Sequence, residues 1–325
     1  MSGDLFEKQR KRLVFVRKYG TALFGLFVFI LFSILASPNF LTFRNMMILL
    51  RSMSMLTIVA LGFTFVMAAG GFDMSLGNAA GLINLCFVFM YITTNSLFLS
   101  IVVSILLGIL VGSFNGLLAG VMGLPDFIAT FAIGSITYGL KMLWTKGNPV
   151  NIPQEGGEAV FFLGQGKIGP IPFPVIIMLI FVLAVMFILQ KTRLGRRIYA
   201  IGGNRLASEY SGINVKKYRF LTFMFSGGFL AVAAILLTSR LGSGQPLAGE
   251  DFMLDTIAAV YLSTTMFGEG EPTPLGTFIG ALIIAMLTNG LTMMGVEYYF
   301  QYITKGIVVI LSVLLSVVLK KKMNQ

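Results

Sequence analysis

Apolar runs of membrane-spanning length alternate with short polar connections from Thr21 to Leu319. About 20 residues at 1.5 Å each cross roughly 30 Å of hydrocarbon. On that measure ten spans are predicted: Thr21–Ala36, Ser54–Ala69, the run after Gly77 to Thr94, Leu97–Met122, Phe127–Trp144, Phe173–Leu189, Phe220–Ser239, Thr256–Phe267, Leu275–Val296 and Tyr298–Leu319. Thr256–Phe267 has only 12 residues between charges, about 18 Å of helix, too short to cross alone. Ser37–Met53 mixes Arg44 and Arg51 with apolar residues and reads as a short helix lying at the interface. Thr145–Pro172, with Pro149, Pro153, Pro170 and Pro172, reads as a loop.

Composition agrees with this pattern. Of 325 residues, 56% are hydrophobic and 11% charged, with a mean hydropathy of +0.88. Soluble domains carry roughly 25% charged residues. The net charge of +11 does not point to nucleic acid, because 17 of the 24 Lys and Arg lie in three short segments. These are Lys8–Lys18, Lys191–Arg219 and Lys320–Lys322. The positive-inside rule places all three in the cytoplasm and the charge-balanced Thr145–Pro172 outside. Ten crossings satisfy that arrangement. Leu35-Ala36-Ser37-Pro38 is a poor cleavage sequence, so the first run reads as an uncleaved span. Without histidine, and with Cys86 the lone cysteine, the chain has no His-based zinc site, no Ser-His-Asp triad and no intrachain disulfide. No metal or cofactor is expected.

The predicted organisation is one transmembrane domain over 1–325. Residues 1–20 form a cytoplasmic N-terminus, 21–144 five spans, 145–172 the outer loop, 173–319 five more spans with the basic loop 191–219, and 320–325 a cytoplasmic tail. Five spans on each side of the outer loop make any internal repeat inverted. Asn115-Gly116-Leu117 echoes Asn289-Gly290-Leu291, and the interruption Gly70–Gly77 corresponds to the short span begun by Asp255. The fold class is therefore all-α, about ten membrane helices in two inverted halves with interrupted helices.

Asp73 is the only acidic residue between Thr21 and Leu124. A carboxylate there faces protein, water or a helix end, because hydrocarbon cannot hold its charge. Two readings are open: a residue of a transport path, or a carboxylate capping the third span with Ser75 and backbone N–H groups as partners. Asn78, Asn84, Asn115 and Asn289 are amides within apolar runs that either tie neighbouring helices or line a path. Gly108, Gly112, Gly116 and Gly120 form a close-packing face. In the basic loop, Asn204 is a good N-cap and Gly212 a good C′ residue around a short helix. Such a helix is too short to hold by itself in water. It is either docked on a partner or part of a solvated basic segment. No G-x-x-x-x-G-K-[ST] motif occurs, so the chain does not hydrolyse ATP by P-loop chemistry. Few carboxylates are available for ion coupling, which favours a separate ATPase.

GGFDMSLG at 70–77, GNPVN at 147–151, TRLGRRIYAIGGN at 192–204, SGIN at 211–214, LDTIAAV at 254–260, GTFIGALI at 276–283 and NGL at 289–291 occur in an order that resembles the ribose-type permeases of bacterial ABC importers over nearly the whole chain. The resemblance implies a multi-pass subunit of the bacterial inner membrane with both ends cytoplasmic. It implies a cytoplasmic ATPase subunit, an extracytoplasmic sugar-binding protein and a second permease copy or a paralogous permease as partners, with lipid around them. It assigns Gly203, Asn204, Ala207, Glu209, Tyr210, Ser211 and Gly212 to ATPase coupling. Asp73, Ser75, Asn115, Asp255 and Asn289 are the candidate path residues. Ser263-Thr264-Thr265, Glu269 and Glu271 depart from the usual glycine-rich pattern, as do Leu206 and Ser208 in the loop, and this leaves a heterodimer open. An ion-gradient-driven transporter of a small polar solute is the alternative.

Overall fold

The computed structural model describes residues 20–266 and 270–323. The N-terminal basic cluster, Phe267 at the end of the predicted eighth span, and Glu269 lie outside them. The helices in chain order are α1 (Gly20–Leu35), α2 (Phe43–Ala68), α3 (Leu76–Thr94), α4 (Leu97–Asn115), α5 (Asp126–Thr145), α6 (Glu158–Gln165), α7 (Phe173–Lys191), α8 (Arg193–Gly203), α9 (Arg205–Tyr210), α10 (Val215–Leu241), α11 (Asp251–Thr264), α12 (Pro274–Met293) and α13 (Tyr298–Met323). A π-helical turn, Gly116–Val121, continues α4. Among the described residues, seven helices are long and apolar enough to span a membrane: α2, α3, α4 with its π turn, α5, α7, α10 and α12. The protein is an all-α membrane protein; the two-residue strands β1 (Val150–Asn151) with β4 (Ser243–Gly244) and β2 (Lys167–Ile168) with β3 (Ile171–Pro172) only staple loops.

Three expectations change. The predicted interface helix is the first part of α2, a single helix of 26 residues that carries Arg44 and Arg51 into the span. Arg51 reaches along its long side chain to donate to the Gln165 carbonyl at 3.1 Å, a partner that lets it ride within the helix. The outer loop is partly helical. The apolar residues of α6 were hidden by flanking prolines and glycines, and Val160 packs with Ile152 against Phe87, Val88, Tyr91 and Ile235. The short helix α11 begins at Asp251, so Asp255 lies one turn inside it rather than at its start.

The chain divides into two compact units, Leu50–Met253 and a second formed by Met1–Leu49 with Leu254–Gln325. The first of these takes helices from both predicted five-span halves. At its centre α4 crosses α10 along the glycine face. A Cβ at Gly116 would lie 2.8 Å from the Phe220 carbonyl oxygen, and one at Gly120 2.9 Å from the Phe220 nitrogen. At Gly108 it would collide with the Gly227 carbonyl, and at Gly112 with that of Phe223. Missing side chains let the two backbones touch, which replaces the hydrophobic drive that lipid does not supply. In the other unit, Asn45 and Asn289 donate to each other's side-chain oxygens at 2.9 and 3.0 Å. There Lys305 pairs with Asp255 at 2.8 Å.

Gly112→Val tests the glycine face. Overpacking should cost about 1–3 kcal/mol, read as a lower thermal midpoint in detergent. Gly139→Val, where an added Cβ meets nothing within 4 Å, should stay within about 0.5 kcal/mol of the parent.

Candidate functional site

Between α2 and α3 the chain is not helical, and its backbone groups need partners because lipid offers none. Gly70 turns the chain with φ +71°. The stretch that follows runs along α5. The Phe72 N–H donates to Asp126 Oδ2 at 3.1 Å, and one turn on the Met74 N–H donates to Thr130 Oγ1 at 2.9 Å. A further turn on, Gly134 leaves room for Ser75, whose Cα would be 3.3 Å from an added Cβ. Asp126, Thr130 and Gly134 are spaced by four on one helix face. Over these eight residues the stretch climbs about 12 Å before α3 begins.

Asp126 is itself held. Arg219, in the second turn of α10, donates to both of its carboxylate oxygens at 2.5 and 2.6 Å. Both contacts come from the one nitrogen Nη2, a charge-assisted contact straddling the carboxylate. Above this pair sits Asp73, 2% exposed. Its Oδ1 accepts from the Ser75 N–H at 2.9 Å, the Ser75 hydroxyl at 2.6 Å and the Asn115 amide at 3.3 Å. Asn115 also donates to Ser75 Oγ at 2.7 Å, and its own Oδ1 is buried without a partner among the described residues. Three predicted path residues, Asp73, Ser75 and Asn115, thus meet in one cluster where α4 passes into its π turn. Asp73 meets Ser75, the N-cap residue of α3, but accepts from none of the first-turn N–H groups of that helix; Asn115 adds a tie to a second helix. Asp255 and Asn289 belong to the other unit, each with its own partner.

The basic segment is a run of capped helices. Thr192 accepts from the Gly195 N–H, Asn204 from Ala207 at 2.9 Å and Asn214 from Lys217 at 3.0 Å. The end of α9 closes with the Ile213 N–H on the Ser208 carbonyl, the Gly212 N–H on that of Glu209, both 3.0 Å, and Gly212 at φ +77°. This is the Schellman arrangement. Gly203, Asn204, Ala207, Glu209, Tyr210, Ser211 and Gly212 are all exposed. Leu206 and Tyr210 are 66% and 90% exposed, one turn apart on the same face. Just before α9, at the end of α8, Gly202 packs on the turn after α2: a Cβ there would run into the Ala68 carbonyl, with the Gly70 nitrogen at 3.2 Å. The loop therefore grips the non-helical stretch twice, through Gly202 and through Arg219.

Residues 45–313 match the family described as branched-chain amino acid transport system / permease component. The chain belongs to that permease family. It is 39% identical over 320 residues to the ribose import permease protein RbsC of Bacillus subtilis, covering 97% of this chain and 98% of the relative. It is 37% identical over 297 residues to the ribose import permease protein RbsC of Escherichia coli K12, covering 91% and 92%. The D-allose transport system permease protein AlsC of the same organism is 32% identical over 309 residues, covering 95% and 94%. No solved structure matches.

Sequence reading passed over the ionic partners of this permease. Lys141 lies inside the apolar run of α5, fully buried at the side chain, and its Nζ donates to Glu250 at 3.0 Å and to Asn78 at 3.1 Å. A lone charge within a span was the available signal. Arg219 and Asp126 read as loop and turn residues, because only folding brings positions 93 apart together.

Asp126→Ala should destabilise the permease by about 3–5 kcal/mol, since it strands the largely buried Arg219 without its counter-charge. Asp73→Ala should cost about 1–3 kcal/mol by leaving buried donors unpaired. Asp73→Asn, which keeps an acceptor oxygen for Ser75, should cost less than Asp73→Ala. Thermal unfolding of the purified proteins in one detergent reads all three.

Proposed function

We propose that this chain is the membrane subunit of an ATP-binding cassette importer that moves a monosaccharide or a sugar-like small molecule. In this reading an external binding protein delivers the sugar and a separate cytoplasmic subunit hydrolyses ATP. The chain works as a pair with a second copy or a paralogous permease. The observation that carries the reading is α9. Six residues do not hold a helix in water by propensity, yet α9 is capped at both ends and presents Leu206 and Tyr210 outward from a basic segment. A rigid apolar pair on such a segment suits a protein partner better than solvent. The relatives' names, for ribose and allose, support a sugar as the cargo.

The proposed orientation puts α8, α9 and both chain ends in the cytoplasm and residues 145–172 outside, with ten crossings. The distribution of Lys and Arg supports it. Asp73, Ser75 and Asn115 are proposed to lie at the cytoplasmic end of the path, where Gly202 and Arg219 deliver movements of α9. Asp255 and Asn289 are proposed as path residues of the other unit.

Two measurements test this. In a Cys86→Ala background, Asn151→Cys and Asn204→Cys should react with an impermeant thiol reagent from opposite sides of the membrane. Reaction from one side would defeat the topology. Asn204→Ala removes a cap worth about 1 kcal/mol. Gly212→Val adds about 1–2 kcal/mol of local backbone strain. The double variant should insert in the membrane, lose most of its bound ATPase and lose ATP-driven uptake of ribose. Full uptake with full ATPase retention would rule out α9 as the coupling element.

A further inference from the structure

A second non-helical stretch enters the unit Leu50–Met253 from the opposite end. After α10 ends at Leu241, residues 243–250 run down the face of α3. Gly244 packs on Val88, the Gln245 N–H donates to Asn84 Oδ1 at 3.2 Å, Pro246 fills the space at Gly81, and Glu250 packs on Gly77, where an added Cβ would lie 3.0 Å from its carbonyl oxygen. From Val88 to Gly77 this is a descent of about 16 Å. The first stretch climbs about 12 Å from Asp126 to the start of α3. The first follows α2 and is tied through Asp126 to Arg219 near the start of α10, the second follows the end of α10, and they stop within two residues of each other, at Ser75 and Gly77. Measured along the 20-residue α5, the meeting lies about 12 Å from the start of a helix about 30 Å long.

Lys141, Glu250 and Asn78 converge at this level. The Lys141 side chain is fully buried and the Glu250 side chain 42% exposed. Glu250 uses Oε1 for Lys141, and Asn78 uses Oδ1 for the same ammonium. The second Glu250 oxygen and the Asn78 amide N–H groups have no partner among the described residues. Tyr138, one turn before Lys141, is 45% exposed and has the ammonium 5.1 Å from its ring centre. Pinning residues 243–250 does not require charge, since the glycine contacts and the neutral Asn84–Gln245 bond already do so. A charged pair at mid-membrane is costly, and structures that keep one commonly use it along a solute path.

We propose that Glu250, Lys141, Asn78 and Tyr138 form a mid-membrane subsite for a neutral polyhydroxylated solute. The free carboxylate oxygen accepts from adjacent sugar hydroxyls, the Asn78 amide donates to another, and the Tyr138 ring covers the C–H face. The Lys141 ammonium, 3.0 Å from Oε1, aims the Glu250 side chain. Interruption of helices from both sides at a shared polar level is the arrangement in which transporters expose polar backbone and side chains to cargo. This rests on the transport reading above.

The test uses the intact transporter purified from its native membrane and reconstituted in liposomes, with ribose as the probe. ATP-dependent uptake by the parent is measured first, and its absence would count against the transport reading rather than this subsite. Single cysteines are then placed by Tyr138→Cys, Glu250→Cys and, as a control on the exposed apolar surface, Leu143→Cys, all with Cys86→Ala. A charged, water-soluble methanethiosulfonate should modify positions 138 and 250 but not 143, and saturating ribose should slow modification at least fivefold. Tyr138→Cys leaves the Lys141–Glu250 pair intact, so it remains informative if Glu250→Cys does not insert. Glu250→Gln should retain its ATPase while maximal uptake falls at least tenfold. Absence of modification at 138, modification that ribose does not slow, or unchanged uptake by Glu250→Gln would each overturn the subsite.

Discussion

The constraint on which this structure depends is that backbone outside a helix must be paired wherever lipid would otherwise surround it. Residues 71–75 and 243–250 of this permease leave helical geometry along spans of the unit Leu50–Met253, and each is accommodated differently. Residues 71–75 are paired by side chains, Asp126 and Thr130, projected from successive turns of α5. Residues 243–250 are accommodated by the absence of side chains at Gly77 and Gly81 on α3, with Asn84 supplying an acceptor. Arg219 belongs to the same solution: without it, Asp126 would be an uncompensated charge exactly where its acceptor oxygen is needed.

These requirements link distant parts of the chain. The Asp126 carboxylate serves the Phe72 N–H and the Arg219 guanidinium together, so the first stretch cannot shift along α5 without disturbing α10. Gly202 touches the same turn through Ala68 and Gly70. A displacement of α8 therefore has little slack before it reaches Asp73. The close fit of α4 on α10 through Gly108, Gly112 and Gly116 makes those two helices move together, and Asn115 sits on that seam. A packed interior has few intermediate arrangements, so small shifts at such contacts switch rather than blend.

The polar groups of this unit form levels. Asp126 and Arg219 lie at the end nearest the capped segment, Asp73, Ser75 and Asn115 above them, and Asn78, Lys141 and Glu250 further along α3 and α5. At the middle level Asn115 Oδ1 has no partner among the described residues. A purely structural network is more stable when every member is satisfied.

Much of the fold was legible in the sequence, because the length of an apolar run is set by bilayer thickness alone. The caps of α9, Asn204 and Gly212, were legible for a similar reason: each is a local preference satisfied within a few residues. So was the glycine face of α4, which follows from helical periodicity. What the sequence left open is what depends on partners far along the chain. Whether Arg51 ends a helix or rides within one was decided by the Gln165 carbonyl. Whether α6 forms was decided by the apolar wall at Phe87 and Ile235. Asp73 was found as a lone carboxylate, but its contact with Asn115 depends on how α4 crosses α3. Lys141 and Glu250, 109 positions apart, carry no mutual signal in one sequence. Their pairing exists only because residues 243–250 fold back along α3, and that course is set by glycine-sized space that tertiary packing alone creates.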